Sequence, residues 1–446
     1  MNSVSNKPLY HITGEKGWIN DPNGVVRFKG RYHVFYQYHP FSCEWGPMHW
    51  GHVISDDLIH WQYLPIALTP GDSFDKDGCF SGSSIIYQDK LYVFYTGFIN
   101  NEDPEKIRQQ QCLAYSEDGI TFHKLGLIIG EDNLPKEFAP NDFRDPMVYQ
   151  DGETFIMLVA ARRKDGRGNI LRYESKDLIH WTFASDILKT DSKGTMVECP
   201  CYVKDLSLLL HSEQFHPKDG YMFHNIHSSL WSIGEYKKDK FNILKQGQID
   251  YGFDFYAPQV ILGDNLMVGW MNMWDRNNPS SQYGFAGMLT IPRKIEVINN
   301  ELIQTPVHPE KIVLEKDNVS TFEEHIVTGF YQIEVENLKS FSLSLRKGNK
   351  EETLFYLNDQ EWVFDRSHSG VIISGKEFDQ VLNDGIRKMP YINQNKHIIY
   401  LVLDKYSLEI FVDGMSMSNT IFPSEKSDLF SLKIDSRRNT IRRFEK

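Results

Sequence analysis

The chain has 446 residues, a formal net charge of −12 and five cysteines. Because one hydrophobic core rarely serves so long a chain, two domains are expected. An acidic chain lacks the basic patches that bind phosphate backbones, so we predict no nucleic-acid partner. The odd cysteine count argues against a disulfide framework, the first residues lack an apolar signal segment, and no apolar run is long enough to span a membrane. These features predict a cytoplasmic protein with no membrane partner.

Five segments share one pattern, in which an apolar run is followed by a polar turn and a second apolar run. Each segment predicts a β-hairpin, and the hairpins recur every 54 to 62 residues. Repeats of this length with many short strands are typical of four-stranded propeller blades. The chain is therefore predicted to be all-β, with a five-bladed β-propeller over residues 1–305. The hairpin turn residues are Gly30, Asp89, Asp151, Asp205 and Asp264.

A second pattern recurs in phase with the hairpins, as "SDDLIHW" at 55–61, "SEDGITF" at 116–122 and "SKDLIHW" at 175–181. We interpret it as structural, because the aspartate suits a turn while the isoleucine and tryptophan suit packing between blades.

A change of pattern follows residue 305. Residues 306–319 contain two prolines and several charges, which predicts a linker between domains. Residues 320–446 alternate apolar and polar positions between Asp-Gly and Lys-Gly turns, which predicts an antiparallel β-sandwich.

Three acidic residues occupy equivalent places shortly before hairpin turns. They are Asp21, Asp145 and Glu198, and a proline follows each within two residues. If each hairpin begins with the innermost strand of its blade, these carboxyl groups converge at one mouth of the central channel. Glycosidic bonds are cleaved by such paired carboxyl groups, which lie about 5–5.5 Å apart in retaining enzymes. The acids therefore predict a catalytic centre in the channel.

The segments that hold these acids carry a family resemblance. "WINDPNG" at 18–24, "FRDP" at 143–146 and "ECP" at 198–200, together with "FSGS" at 80–83 and "DFYAPQ" at 254–259, resemble the motifs of glycoside hydrolase family 32. That family contains the β-fructofuranosidases, or invertases. The resemblance implies a retaining hydrolase that releases terminal β-D-fructofuranosyl residues from sucrose and short fructo-oligosaccharides by double displacement, with no cofactor.

The resemblance also implies the roles of the site residues. Asp21 would be the nucleophile, Glu198 the general acid and later base, and Asp145 a stabiliser of the transition state. We then expect an apolar setting that raises the pKa of Glu198, an ionised Asp21, an Arg144 that holds Asp145 charged, and a Cys199 that tunes the surroundings of Glu198. The residues implied to line the fructose pocket, besides Arg144, are Asn20, Gln37, Trp45, Phe80, Ser81 and Tyr256.

The substrate remains open at this point. A sucrose-6-phosphate hydrolase is the alternative within the family, because Arg162, Arg163, Lys164 and Arg167 form a basic cluster that could recognise phosphate. We favour a solvated basic turn, since nothing in the sequence directs these side chains at the channel.

Two other functions compete with hydrolysis of fructosides. The hairpin repeat alone also fits an inverting arabinan or xylan hydrolase, which the "NDPNG" and "ECP" motifs disfavour. A propeller can be a non-catalytic sugar-binding module, which the three acids disfavour. Neither "ECPC" at 198–201 nor the histidines of 211–227 have a metal-ligand spacing, so no metal is predicted. The sequence predicts no oligomeric state.

Overall fold

A computed structural model describes residues 6–190, 196–237, 239–377, 384–424 and 426–445. These residues form seven β-sheets, which confirms the all-β prediction. None of the helices in the described ranges is long and apolar enough to cross a membrane. The helices are short 3₁₀ turns at Pro104–Lys106, Glu131–Asn133, Lys204–Leu206 and Pro279–Tyr283.

Five sheets of four or five strands follow one another along residues 17–306. The first sheet contains β1 (Gly17–Phe28), β2 (Arg31–His39), β3 (His49–Ser55) and β4 (Gln62–Leu68), and the second contains β5 (Gly78–Tyr87), β6 (Lys90–Ile99), β7 (Arg108–Ser116) and β8 (His123–Ile129). The third contains β9 (Phe138–Asp151), β10 (Thr154–Arg163), β11 (Gly168–Ser175) and β12 (Trp181–Lys189), and the fourth contains β13 (Val197–Val203), β14 (Leu208–Gln214), β15 (His227–Lys237) and β16 (Lys240–Gln248). The fifth contains β17 (Tyr256–Ile261), β18 (Leu266–Met271), β20 (Met288–Leu289), β21 (Arg293–Ile298) and β22 (Glu301–Pro306), while β19 (Phe285–Ala286) belongs to the first sheet.

The first two strands of each sheet form the five predicted hairpins, which are thereby confirmed. Two of the turns show why their residues suit them. Lys29 and Gly30 have φ values of 48° and 83°, and Gln88 and Asp89 have values of 51° and 59°. Consecutive left-handed residues give a turn whose twist matches that of the flanking strands.

The repeated "S-x-D-L-I-H-W" pattern forms capped turns, as expected for its aspartate, but the expected packing of its isoleucine is wrong in two copies, because Ile120 and Ile179 are exposed. Ser55 Oγ accepts a hydrogen bond from the Leu58 amide at 2.8 Å, and Asp57 Oδ1 accepts bonds from the Ile59 and His60 amides at 2.9 and 2.8 Å. These bonds satisfy the backbone where the chain passes between strands.

The first strands of the five sheets form a closed ring. β1 contacts β5, β5 contacts β9, β9 contacts β13, β13 contacts β17, and β17 contacts β1. In addition, β19 pairs in parallel with β1, with Gly17 opposite Phe285 and Trp18 opposite Ala286. A strand from within the fifth-sheet segment is thus bound to the start of the first sheet. Residues near one end of each first strand face a common centre.

The remaining strands form two six-stranded sheets that share one apolar cluster, with Ile333 and Leu401 from one sheet and Leu343 and Trp362 from the other. Residues 306–319, predicted to be a linker, contain a strand that pairs with the last strand of the chain. One sheet contains β23 (Lys311–Asp317), β25 (Gly329–Glu336), β30 (Lys396–Asp404), β31 (Ser407–Val412), β32 (Met415–Thr420) and β34 (Arg438–Glu445); the other contains β24 (Thr321–His325), β26 (Ser340–Lys347), β27 (Glu352–Asn358), β28 (Glu361–His368), β29 (Ile386–Pro390) and β33 (Leu429–Asp435).

Buried charges join the five-sheet part of the chain to the six-stranded sheets. Asp254, just before β17, accepts hydrogen bonds from Arg276 at 3.0 Å and from Arg366 of β28 at 2.9 Å. The Thr420 amide donates to the same carboxylate at 2.7 Å. Burial alone would raise the pKa of Asp254, but the charges of Arg366 and Arg276 outweigh it and lower the pKa. The carboxylate therefore stays ionised between two cations.

A second group of buried charges lies nearby. His11 donates to Asp404 and lies 2.9 Å from Glu409, and Glu409 also accepts a hydrogen bond from Arg293. Burial alone would lower the pKa of His11, but its bonds to the two carboxylates raise it to about 9, so the imidazole is a cation at neutral pH. The beginning of the chain is thereby held by the six-stranded sheets.

We predict that Asp254→Asn lowers the free energy of unfolding by about 3–5 kcal/mol, because two buried arginines lose their counter-charge. The matched control is Asp56→Asn, which breaks an exposed pair with Arg31 at 2.8 Å and should cost less than about 1 kcal/mol. Urea unfolding followed by tryptophan fluorescence measures both. Equal losses in the two variants would contradict a structural role for the buried group.

Candidate active site

The first strands of the sheets carry β-bulges at matching positions, and the predicted acids lie in or beside them. In four of these strands two residues oppose one on the neighbouring strand, which bends the strand and redirects its side chains. Asp145, Cys199 and Ala257 have left-handed φ values of 64°, 50° and 52° at these bulges. The opposed sets are Asn20 and Asp21 against Gln37, Asp145 and Pro146 against Val159, Cys199 and Pro200 against His211, and Ala257 and Pro258 against Gly269.

The bulges surround a cavity of about 310 Å³ at one end of the ring. All three predicted acids line it, together with six of the seven residues predicted for the pocket. Four further lining residues had no motif in the sequence to indicate them. The predicted lining residues are Asn20, Asp21, Gln37, Trp45, Phe80, Ser81, Arg144, Asp145 and Glu198, and the others are Phe98, Gln109, Asp142 and Trp274.

A cavity of about 340 Å³ lies at the other end of the first strands, near the hairpin turns. Its walls are mostly apolar, and Asp205 is the one carboxylate among its lining residues. A single exposed acid is not the arrangement that acid–base or nucleophilic chemistry on a sugar needs. The cavity with three acids is therefore the candidate active site.

Asp21 is buried and held by two neighbours. Ser81 Oγ donates to Asp21 Oδ2 at 2.6 Å, and Asn20 Nδ2 donates to Oδ1 at 3.1 Å. Trp18 Nε1 donates to Asn20 Oδ1 at 2.8 Å and so fixes the amide. Burial raises the pKa of Asp21, although the bonds from Ser81 and Asn20 oppose the rise. We expected good hydrogen bonding to favour the ionised form, but in the empty cavity the loss of hydration dominates.

Glu198 is held in its charged form by two donors. Arg144 donates to Glu198 Oε1 from Nε at 3.0 Å and from Nη2 at 2.8 Å. Tyr256 Oη donates to Glu198 Oε2 at 2.5 Å. Burial alone would raise the pKa of Glu198, but the Arg144 charge and the Tyr256 bond outweigh it and lower the pKa. The expectation of an apolar setting with a raised pKa is therefore wrong for the unliganded protein.

Tyr256, which we predicted to line the pocket, is instead buried behind Glu198 and does not line the cavity. Its contact with the site is the hydroxyl that bonds Glu198.

Asp145 has a different partner from the one we predicted. Arg144 directs its guanidinium to Glu198, Gln109 and Asp142, whereas Asp145 Oδ2 accepts the Cys199 amide at 2.9 Å. Burial raises the pKa of Asp145 to about 7; the Arg144 charge opposes this rise, and the charges of Glu198 and Asp21 add to it. The prediction that Arg144 holds Asp145 charged is therefore wrong in its outcome: the Arg144 charge favours the carboxylate, but its hydrogen bonds go to other groups and burial prevails.

The Cys199 thiol lies between two of the acids. Its Sγ is 3.6 Å from Asp21 Oδ2 and 3.5 Å from Asp145 Oδ2. Burial and the nearby carboxylates raise the pKa of Cys199 well above the usual value, so the group stays a protonated donor. The thiol therefore contacts Asp21 and Asp145 directly, while its backbone neighbour Glu198 is bound by other groups.

Two of the four lining residues without a sequence motif hold the Arg144 guanidinium in place. Arg144 Nη1 donates to Gln109 Oε1 at 3.0 Å and to Asp142 Oδ1 at 2.7 Å. Asp142 lies two residues before Arg144, so strand alternation could have indicated it. Gln109 on β7 and Trp274 after β18 come from elements with no functional pattern. Their places depend on how the sheets pack.

The three arginines of the basic cluster each have a carboxylate neighbour. Arg162 Nε lies 2.8 Å from Asp142 Oδ2, and Arg167 donates to Asp165 at 3.0 Å. Arg163 lies 3.9 Å from Asp165. None of these side chains lines the cavity. The solvated-turn interpretation is therefore incomplete, because Arg162 reaches the active site indirectly through Asp142.

Within the described ranges, no group of three or more His, Cys, Asp or Glu side chains is arranged to hold a metal ion.

Comparisons with known proteins extend over nearly the whole chain. Residues 11–306 match the family model described as the N-terminal domain of glycosyl hydrolases family 32, and residues 300–445 match its C-terminal model. A sucrose-6-phosphate hydrolase of Zymomonas mobilis subsp. mobilis is 36% identical, with 94% of this chain and 88% of that protein covered. A raffinose invertase of Escherichia coli is 35% identical, with 95% and 91% covered.

A solved structure agrees with these matches. The family 32 β-fructofuranosidase of Bombyx mori superposes with a TM-score of 0.84 at 28% identity, covering 99% of this chain and 94% of that one.

We predict that one of the five thiols reacts readily with a disulfide reagent in the native protein. Cys43 is partly exposed, whereas Cys79, Cys112, Cys199 and Cys201 are buried. Titration at pH 8 should therefore give about one fast equivalent, and Cys43→Ser should remove it. A fast reaction at Cys199, identified by peptide mass spectrometry, would contradict its burial between the acids.

Proposed function

The chain belongs to glycosyl hydrolase family 32 and is a β-fructofuranosidase-type glycosidase, and we propose that it hydrolyses sucrose and short fructo-oligosaccharides with retention of configuration. The observation that carries this proposal is the cavity in which Asp21, Asp145 and Glu198 converge. Two of these carboxyl groups would act as nucleophile and acid, and the third would hold sugar hydroxyls.

The architecture that supports this function is a five-bladed propeller followed by a sandwich. We propose that the five sheets in the ring are its blades and that the two six-stranded sheets are the sandwich. The proposed boundaries are 1–305, 306–319 and 320–446, with the short middle segment contributing an edge strand to the last domain. The two family models meet at 300–306, which supports a boundary there.

The proposed chemistry begins with attack by Asp21 on the anomeric carbon of fructose. Glu198 gives its proton to the leaving oxygen and later takes one from water. Ser81 and Asn20 aim the Asp21 carboxylate, because each bonds one of its oxygens. A fructosyl ring that donates hydroxyl hydrogens to Asp145 would lower its pKa from about 7 and stabilise its charged form.

Substrate binding must also change the protonation of Glu198. In the unliganded site its pKa is lowered by Arg144 and Tyr256, yet a general acid needs a proton. Three interacting carboxyl groups titrate as a set, so ionising Asp145 and Asp21 favours a proton on Glu198. Sugar binding thereby moves a proton from Asp145 or Asp21 to Glu198.

Sucrose is the proposed substrate because a sucrose complex exists for a variant of the similar Bombyx mori enzyme. The alternative is sucrose 6-phosphate, which the name of the Zymomonas relative favours. The ion pairs of Arg162 and Arg167 disfavour the phosphorylated sugar, since each guanidinium already has a carboxylate partner and neither side chain lines the catalytic cavity. We retain a cytoplasmic location as part of the proposal.

A non-catalytic sugar-binding propeller is disfavoured by the three converging acids.

We predict that Asp21→Asn lowers kcat for fructose release from sucrose by about 10⁴-fold or more, because the nucleophile is lost. The control is Asp89→Asn, at the turn of the next sheet's hairpin, which should retain wild-type activity. Both variants should unfold at the wild-type temperature. Substantial turnover by folded Asp21→Asn would refute the assignment.

Retention is tested in the same preparation by adding methanol. A double displacement transfers fructose to methanol and yields methyl β-D-fructofuranoside, which carbon NMR distinguishes from the α form. The α-methyl product, or inverted fructose without transfer, would support the inverting alternative.

We predict that Tyr256→Phe moves the alkaline limb of the kcat profile, which reports the substrate complex in which Glu198 holds the proton, upward by about one pH unit. The tyrosine hydroxyl stabilises the Glu198 carboxylate, so its removal raises the pKa at which the general acid loses its proton. Tyr63→Phe is the control, because its hydroxyl bonds the Thr13 carbonyl at 2.9 Å away from the catalytic cavity. A profile unchanged, or moved downward, would contradict the proposed role of Glu198.

A further inference from the structure

A second cavity of about 420 Å³ adjoins the catalytic cavity. Trp45 and Trp274 line both, so the two spaces are neighbours across a shared aromatic wall. The catalytic cavity has room for the fructosyl ring among the acids, and the leaving group must therefore extend from its mouth. The second cavity is an open cleft across the shared wall of Trp45 and Trp274, within reach of such a leaving group.

Phe215, at the end of β14, gives the second cavity an aromatic wall of its own. Its ring is half exposed and lies edge-on to His227, with ring centroids 4.9 Å apart. Its backbone has a φ of 54°, which is rare for a bulky residue and is held by a hydrogen bond from its amide to the Ile226 carbonyl at 2.7 Å. Strained residues with exposed aromatic faces occur at binding sites, where sugar rings stack on such faces.

Lys376 comes to the same cavity from the C-terminal part of the chain. Its amide donates to the Asp275 carbonyl at 2.7 Å, next to an isolated bridge between Arg276 and Gly375. The Asn277 amide donates to the Ser374 carbonyl at 3.0 Å. This short pairing fixes the lysine directly beside the loop that follows Trp274. Lys376 lines the cavity, where its ammonium can donate hydrogen bonds to a ligand.

The charges of the cavity disfavour an anion. Glu44 and Asp275 contribute carboxylates to its lining. Arg276 also lines it, but its guanidinium is buried and donates to Asp254, the Phe253 carbonyl and Asn225. Phosphate recognition requires a surplus of cationic donors, and one ammonium against two carboxylates does not supply it.

We infer that this second cavity binds an uncharged sugar residue attached to the glucosyl group of the substrate, with Phe215 and Lys376 as its specificity-determining contacts. The inference rests on the proposed function, because it places fructose in the catalytic cavity. It assigns the C-terminal part of the chain a role in substrate choice. The preferred substrates are then raffinose-type trisaccharides rather than phosphorylated sucrose.

Raffinose and sucrose 6-phosphate separate the effect of a substituent's charge from the effect of its position on the substrate. Raffinose carries a galactosyl group, and sucrose 6-phosphate a phosphate, on the same carbon of glucose. The test is kcat/KM for sucrose, raffinose and sucrose 6-phosphate with wild type, Phe215→Ala, Phe215→Leu and Lys376→Ala. The matched controls are Phe41→Ala, an exposed aromatic outside both cavities, and Lys350→Ala, an exposed lysine of the C-terminal part.

We expect the Phe215 and Lys376 variants to lose about tenfold in kcat/KM for raffinose and less than twofold for sucrose, since the lost contacts reach only the additional sugar. Phe215→Leu keeps the apolar volume, so a loss there is not a loss of folding. The control variants should match wild type on all three substrates.

Three outcomes would overturn the inference. Equal losses for sucrose and raffinose would place the residues in the catalytic cavity or the fold, and unchanged raffinose kinetics would leave the second cavity without a part in binding. A loss confined to sucrose 6-phosphate would assign the cavity to an anion. Failure of wild type to hydrolyse sucrose would refute the proposed function itself, which is a separate result.

Discussion

The β-bulge in the first strand of a sheet is the constraint on which the active site depends. In a regular strand successive side chains point to opposite faces, so neighbours in sequence cannot both face a channel. At the bulges two residues share the space of one, and the backbone of Asp145 and Cys199 turns left-handed. As a result Arg144 and Asp145 face one cavity although they are adjacent. The ring of first strands then brings acids from three sheets together.

The buried charges around Asp254 hold in place two segments next to the active site. Asp254 lies two residues before Tyr256, whose hydroxyl bonds Glu198, and its partner Arg276 lies two residues after Trp274, which lines both cavities. The same carboxylate binds Arg366 of the six-stranded sheets. The C-terminal part of the chain thus fixes two segments, one whose Tyr256 supports Glu198 and one whose Trp274 lines both cavities. Replacing Asp254 would therefore lower the catalytic rate as well as the free energy of unfolding.

Local features of the sequence were enough to predict the hairpins and the convergence of Asp21, Asp145 and Glu198, because turn residues and the repeat period fix where each strand begins. The partner of Arg144 could not be predicted in this way. Sequence proximity suggested Asp145, but the left-handed turn directs the guanidinium to Glu198, and that choice decides the direction of the Glu198 pKa. Lys376 lies far along the chain from the acids, and its approach depends on packing between the two parts of the protein.

The parallel pairing of β1 with β19 sets an order of events during synthesis. The first strand leaves the ribosome early, whereas its partner around Phe285 follows only after all the intervening sheets. At about 5–20 residues per second, the nascent chain spends at least several seconds as an open row of sheets. During that time the edge of β1 that later pairs with β19 is available to other strands. The unpaired edge of β1 is therefore the part of the nascent chain that a chaperone would have most reason to cover.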